Sequence, residues 1–177
     1  MPGDGRQATM VPPEIYYQLK RFYLDQLDAR DRGETQQWLD VFDDDATMTT
    51  KVLGHGDPVS KTDFVPAVWA LDASFHEGGI QRRHCVHGFT FRTDGDLYYA
   101  RFYALFLVTD AERAACLQSA AMISDVLRRS GATWKVLSRE IERDDLGRLN
   151  VQPSTWATRE GASHGTDGHP RRRNGAG

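Results

Sequence analysis

Residues 84–108 read HCVHGFTFRTDGDLYYARFYALFLV. Two runs rich in aromatic and β-branched residues flank Asp94-Gly95, a dipeptide that accepts the positive φ of a tight hairpin turn. The pattern predicts antiparallel strands over 84–91 and 97–108. A two-residue turn at Asp94-Gly95 pairs Thr93 with Asp96, Arg92 with Leu97, Gly88 with Arg101, Val86 with Tyr103 and His84 with Leu105. Side chains alternate along a strand, so cross-strand partners share a side. One face then carries His84, Val86, Gly88, Thr90, Tyr99, Arg101, Tyr103, Leu105 and Leu107. The other carries Cys85, His87, Phe89, Phe91, Tyr98, Ala100, Phe102, Ala104 and Phe106. The second face is rich in Phe and uncharged, while the first mixes polar, titratable and apolar groups. Such a sheet buries both faces, one lining a cavity under helices and the other packing against a partner sheet. A slip of one residue would exchange the faces.

Downstream, Ala115–Leu127 and Trp134–Glu142 read as a second pair of strands around Arg129-Ser130-Gly131. Upstream, Ile15, Leu19, Phe22, Tyr23 and Leu27 recur at spacings of 3 and 4, which predicts a helix from Glu14 to about Ala29. A short second helix after Gly33 holds Trp38, Leu39 and Phe42 and ends at Asp43-Asp44-Asp45. Residues 46–52, ATMTTKV, read as a strand and GHGDP at 54–58 as a loop. Thr62 caps a third helix bearing Phe64, Val65, Val68, Trp69 and Leu71, with Pro66 in its first turn and Gly78-Gly79 at its end. Helices first and antiparallel strands later predict an α+β fold.

The chain has 177 residues, enough for one ordinary domain with extra chain at its ends. Residues 1–13 and 151–177 are poor in apolar groups and are expected to be disordered, so the domain spans about 14–150. The terminal Arg171-Arg172-Arg173 reads as a solvated charge cluster. A net charge of −3 gives no footprint for nucleic acid, and no apolar run is long enough to span a membrane. Cys85 and Cys116 make no disulfide framework, and residues 1–14 lack a secretory pattern, so a reducing cytoplasm is expected. His84 and His87 stand three apart on a strand and point to opposite sides, a poor arrangement for one metal ion. No GxSxG, Walker or GxGxxG pattern occurs.

The order of several motifs resembles the SnoaL-like proteins of the nuclear-transport-factor-2-like superfamily. These are LDARD (27–31), Trp38-Leu39, FDDDA (42–46), RRHCVHGFTF (82–91), ARFYALF (100–106) and SDVLRRSGATWKVLSREI (124–141). The resemblance implies a curved antiparallel sheet forming a cone-shaped half-barrel around a pocket, closed by N-terminal helices. It also implies homodimerisation through the outer sheet face. Similar proteins include scytalone dehydratase, polyketide cyclases, steroid isomerases and the non-catalytic small subunits of ring-hydroxylating dioxygenases. In the dehydratase-like members a His after the third helix is a general acid/base, and His84 falls on that position. Asp28 matches the carboxylate that tunes it, Tyr23 matches a catalytic Tyr five residues earlier, and Asp125 matches an Asp of the penultimate strand. The first-strand Tyr of scytalone dehydratase has no equivalent in ATMTT at 46–50, which disfavours scytalone as substrate.

A His–Asp pair in an apolar pocket suits proton shuttling, because imidazole titrates near neutrality and a carboxylate fixes its tautomer. Such a pair needs no cofactor to abstract a proton beside a carbonyl and then expel water, shift a double bond or close a ring. The implied substrate is a polyketide-like or polycyclic small molecule, and the alternative is a scaffold subunit of the dioxygenase kind. Trp69 lies near the pocket mouth as a substrate-binding candidate if the third helix is a lid. Plainer roles exist for every residue: His84 in packing, Asp28 at a helix end and Trp69 in the core. Tyr23 and Asp28 lie about 140° apart on an ideal helix, whereas Tyr17 lies within about 20° of Asp28 and is a rival. Arg101 and Tyr103 share the His84 face in the register above, and Arg101 either binds a substrate anion or pairs with Asp125. Asp125 also has Arg128 and Arg139 as surface partners within reach.

Overall fold

The computed structural model describes residues 8–50 and 55–144. The expectations for residues 1–7 and for the tail beyond 144 fall outside them. Strand β1 is Thr9–Met10, followed by helices α1 (Pro13–Asp31) and α2 (Thr35–Leu39). Strands β2 (Phe42–Thr50) and β3 (His55–Ser60) precede α3 (Lys61–Glu77). Four long strands complete the order: β4 (Gln81–Asp94), β5 (Leu97–Thr109), β6 (Ala115–Ser130) and β7 (Thr133–Arg143). Among the described residues the seven strands form one sheet, ordered β1-β4-β5-β6-β7-β2-β3. Pairing is antiparallel except between β2 and β7, which run parallel.

The α+β architecture is the expected one, and the differences are local. The acidic run Asp43–Asp45 does not end α2; it lies inside β2. Phe42 begins that strand as a buried core residue, so burial overrides the helical reading. The expected loop at 54–58 is largely strand β3. Ser60, not Thr62, is the residue before α3, and its hydroxyl donates to Asp63 at 2.6 Å. Pro66 sits inside the helix, beyond its first turn. Thr9–Met10 pairs with Arg92 and Thr93, adding a strand within the segment read as unstructured.

Helix α1 begins where Pro13 needs no backbone N–H, and it ends before Gly33, whose φ of +78° closes the helix in the left-handed region. Its buried residues Leu19, Tyr23, Gln26, Leu27 and Arg30 follow the helical period and face the sheet. The core lies between the three helices and the inner face of the sheet. Tyr23 stacks on Phe91 at 5.9 Å and meets Phe102 at 4.7 Å, while Phe42 bridges Trp38 and Phe64.

The β4–β5 hairpin differs from its expected register in a way that decides the site. The turn is Gly95-Asp96, so Asp94 pairs with Leu97, Phe91 with Ala100 and Thr90 with Arg101. Beyond it, between His87 and Thr90, β4 carries one residue more than β5. After this bulge His87 pairs with Tyr103, Val86 with Ala104 and His84 with Phe106. The extra residue inverts the alternation, so His84 and Val86 join Phe102, Ala104 and Phe106 on the inner face. Gly88 makes the bulge possible: its φ is +69°, and a Cβ there would lie 2.9 Å from the Tyr103 ring.

Candidate active site

His84 is fixed by the last turn of α1. Asp31 accepts two hydrogen bonds from it, one from the His84 backbone N–H at 2.8 Å and one at Nδ1, 2.5 Å away. Both side chains are about nine-tenths buried, at 7% and 10% exposure. A carboxylate at Nδ1 selects the tautomer with the proton there, which leaves Nε2 as the ring's lone-pair nitrogen. The ring stands edge-on to Phe106 at 4.8 Å. Burial lowers the His84 pKa, Asp31 opposes that shift, and the cations of Arg82 and Arg30 reinforce it. The imidazole is therefore neutral at neutral pH and able to accept a proton.

His84 lines a cavity of about 170 Å³. Its walls are mostly apolar, with Met48, Val68, Leu71, Phe75, Phe106 and Ile141 contributing. Trp38, Thr50, Arg30, Arg82, Gln118 and Ser119 supply polar groups. Arg30 and Arg82 both pair with Asp72 of α3, the second at 3.2 Å, and Thr35 donates to the same carboxylate at 2.6 Å. Arg82 Nη2 also donates to the Arg30 carbonyl at 2.9 Å. This cluster ties α1, α2, α3 and β4 together around the cavity. Burial first, then the facing Arg82, lowers the Arg30 pKa to about 9, so it remains a cation at neutral pH. Burial likewise lowers the pKa of Arg82.

The structure brings only one of the residues singled out from the sequence, His84, into this cavity. Asp28 does not reach it; its carboxylate is exposed on α1 and pairs with Arg32. The helix runs on to Asp31, which lies about 60° around the helix from Asp28 and is the carboxylate that meets His84. Tyr17 lies on the same outward side, 70% exposed, beside Tyr16. Arg101 and Tyr103 are corrected by the bulge: they stay on the outer face while His84 turns inward. Tyr103 is 49% exposed and stacks on His87 at 5.3 Å. Trp69 is 44% exposed, because the cavity side of α3 is taken by Val68, Leu71 and Phe75.

Tyr23 and Asp125 meet each other instead of the cavity. The Tyr23 hydroxyl donates to Asp125 Oδ2 at 2.8 Å. Arg139 grips the same carboxylate through Nε at 2.9 Å and Nη2 at 2.6 Å, and Nη2 also donates to Gln26 Oε1 at 3.0 Å. Asp125 thus pairs with Arg139, as one reading allowed, but in the interior and not at the surface. Burial, then the Asp125 carboxylate, pushes the Tyr23 hydroxyl well above its ordinary range, so it remains a donor. The network fastens α1 to β6 and β7.

Sequence reasoning missed Asp31, Arg30, Arg82, Asp72 and Trp38 as site residues. Two signals were present. Asp31 closes the same LDARD run that contains Asp28, and Arg82 stands two residues from His84 on one strand, hence on its face. Asp72 offered no local signal, since it meets the arginines only through tertiary packing.

The SnoaL-like domain family pattern matches residues 14–140. Aln2 from a Streptomyces species has the same fold, with a TM-score of 0.68 and 24% identity over 78% of this chain and 96% of that one. ActVI-ORFA from Streptomyces coelicolor superposes with a TM-score of 0.66 at 21% identity, over 80% of this chain and 100% of the other. A protein from Catenulispora acidiphila, solved in complex with S-DNPA, gives 0.63 at 23% identity, over 76% and 96% of the two chains. No curated protein matches the sequence.

Proposed function

The chain belongs to the SnoaL-like domain family, and on that footing we propose that it is an acid/base enzyme acting on a polyketide-like or polycyclic small molecule. The reaction is a cyclisation, dehydration or isomerisation that proceeds by proton transfer. The observation that carries this reading is His84 at the wall of a mostly apolar cavity, with Asp31 held against its Nδ1. His84 Nε2 takes a proton from the carbon beside a substrate carbonyl, and Asp31 stabilises the imidazolium that forms. In a dehydration the imidazolium returns that proton to the departing hydroxyl, which leaves as water. In an isomerisation it returns the proton to a different carbon. Asp31 touches no substrate atom in this scheme and is a positioning residue.

The binding of a small molecule by the Catenulispora acidiphila protein, which shares the fold, supports a ligand-binding role for the cavity. The enzyme reading is preferred to a scaffold subunit because a scaffold has no use for a cavity-lining His backed by a buried Asp. We further propose a homodimer formed through the outer sheet face, where Arg101, Tyr99, Arg92 and Thr90 line a shallow groove beside exposed Tyr103. The cytoplasm is the compartment that suits the exposed free thiols of Cys85 and Cys116.

Exchange of the acidic protons of β-tetralone in deuterium oxide, followed by NMR, tests the reading without knowledge of the natural substrate. Wild-type protein is expected to accelerate exchange. Asp31→Asn is expected to slow it by about 10–100-fold, less than the roughly 10²–10⁴-fold that a general base itself contributes. Asp28→Asn is expected to leave it unchanged. Equal rates for Asp31→Asn and the wild type would overturn the assignment.

A further inference from the structure

Two residues that line the cavity each carry a buried donor that the fold leaves unused. Arg82 has three guanidinium nitrogens, and the protein uses two of them: Nη1 on Asp72 and Nη2 on the Arg30 carbonyl. Its Nε is buried and lacks a hydrogen-bond partner among the described residues. Trp38 Nε1 is in the same condition. Both residues are more than nine-tenths buried, at 9% and 6% exposure, and both line the cavity. Buried N–H groups are normally satisfied, so two orphans on one cavity wall point to acceptor atoms of a ligand.

The charge around the cavity is arranged to match. Arg30 and Arg82 line both the cavity and a separate cleft at the end of α1. Their counter-charges, Asp31 and Asp72, line only the cleft. The cavity therefore sees the cationic side of the cluster, in surroundings where burial weakens screening. Guanidinium and carboxylate are matched in shape and charge. The apolar side chains of Phe75, Phe106, Val68 and Ile141 line the same cavity.

We propose that the substrate carries a carboxylate, and that this group accepts hydrogen bonds from Arg82 Nε and Trp38 Nε1 while its ring system packs on the apolar wall. The proposal rests on the acid/base reading of the same cavity and narrows its substrate class to aromatic or polycyclic acids. A cavity of about 170 Å³ resembles in size the engineered cavity of about 150 Å³ that takes benzene. The enclosed part accordingly holds one ring with its carboxylate, and further rings extend past Leu71, which is 37% exposed at the wall. Carboxylate capture orients the substrate, so that the proton removed by His84 is set by distance from the acid group.

The test is calorimetric titration of the wild-type protein with β-naphthoate and with its neutral isostere β-naphthamide at neutral pH. The acid is expected to bind on the order of tenfold tighter, the gain of a charge-assisted hydrogen bond over a neutral one. Trp38→Phe keeps the ring and removes Nε1, and it is expected to reduce that preference. Arg82→Lys keeps the charge and removes Nε, and it is expected to reduce the preference further. Thermal melting checks that each variant is folded, and Trp38→Phe carries the test alone if Arg82→Lys is not. Equal binding of acid and amide overturns the proposal, as does failure of both to bind. A preference that survives in the folded variants overturns it too, because a water molecule would then serve the donors. His84→Ala is expected to retain the preference. Loss of proton exchange with the preference intact in that variant separates the two readings, since equal binding of acid and amide would leave the exchange result standing.

Discussion

Replacing Asp125 with alanine is expected to lower folding stability by about 3–5 kcal/mol. The side chain of Asp125 is fully buried and neutralises Arg139, itself only 2% exposed. Without the carboxylate, a guanidinium remains in the interior with Gln26 Oε1 as its remaining polar contact in this network. Burial of an uncompensated charge is far more costly than the net worth of the pair, because neither water nor a counter-charge replaces the lost partner. The Tyr23 hydroxyl loses its acceptor in the same step. Removing both charges in an Asp125→Leu, Arg139→Met variant is expected to recover most of the loss. Urea denaturation of the single and double variants measures this, and a single-variant loss below about 1 kcal/mol, the ordinary worth of a surface pair, would contradict the buried-network description.

His84→Ala is expected to reduce turnover by about 10²–10⁴-fold, the usual contribution of a positioned general base. Folding and β-naphthoate binding should persist. The Asp31 carboxylate keeps the backbone N–H of residue 84, and the carboxylate-binding donors belong to other residues. Steady-state exchange rates together with calorimetry separate loss of chemistry from loss of binding. The pH dependence follows from the direction of the His84 shift. Its pKa is lowered in the folded protein, so the neutral form persists to more acidic pH than in a free imidazole. Exchange activity should hold through neutrality and fall as pH drops through this lowered pKa. Stability follows the same sign: the contribution of neutral His84 is present above the unfolded pKa and is lost as pH falls towards the folded one.

The α+β class and six of the elements around the site were legible in the local pattern, because α1, α3 and the four long strands each bury a periodic face. The side on which His84 stands was not. Alternation alone keeps His84 with Arg101 and Tyr103, and one inserted residue at Gly88 reverses it. Gly88 offered a hint, since glycine within a strand often marks a bulge, but a glycine does not say which side the chain resumes on. Asp31 was missed for a related reason: the end of a helix moves easily by a few residues, and each residue turns the side chain by about 100°. The Arg30–Asp72–Arg82 and Tyr23–Asp125–Arg139 networks join residues far apart in the chain, and pairing of that kind becomes visible only when the topology is known.

The state of the His84 ring is the most direct test of the account. NMR titration of protein with nitrogen-15-labelled histidine reports both the tautomer and the pKa of this one imidazole. The expected result is a proton on Nδ1, held by Asp31, with a lone pair on Nε2 and a pKa below the ordinary value of 6.5. A proton resident on Nε2 with Nδ1 bare, or a pKa raised above that ordinary value, would contradict a neutral base poised at the cavity wall.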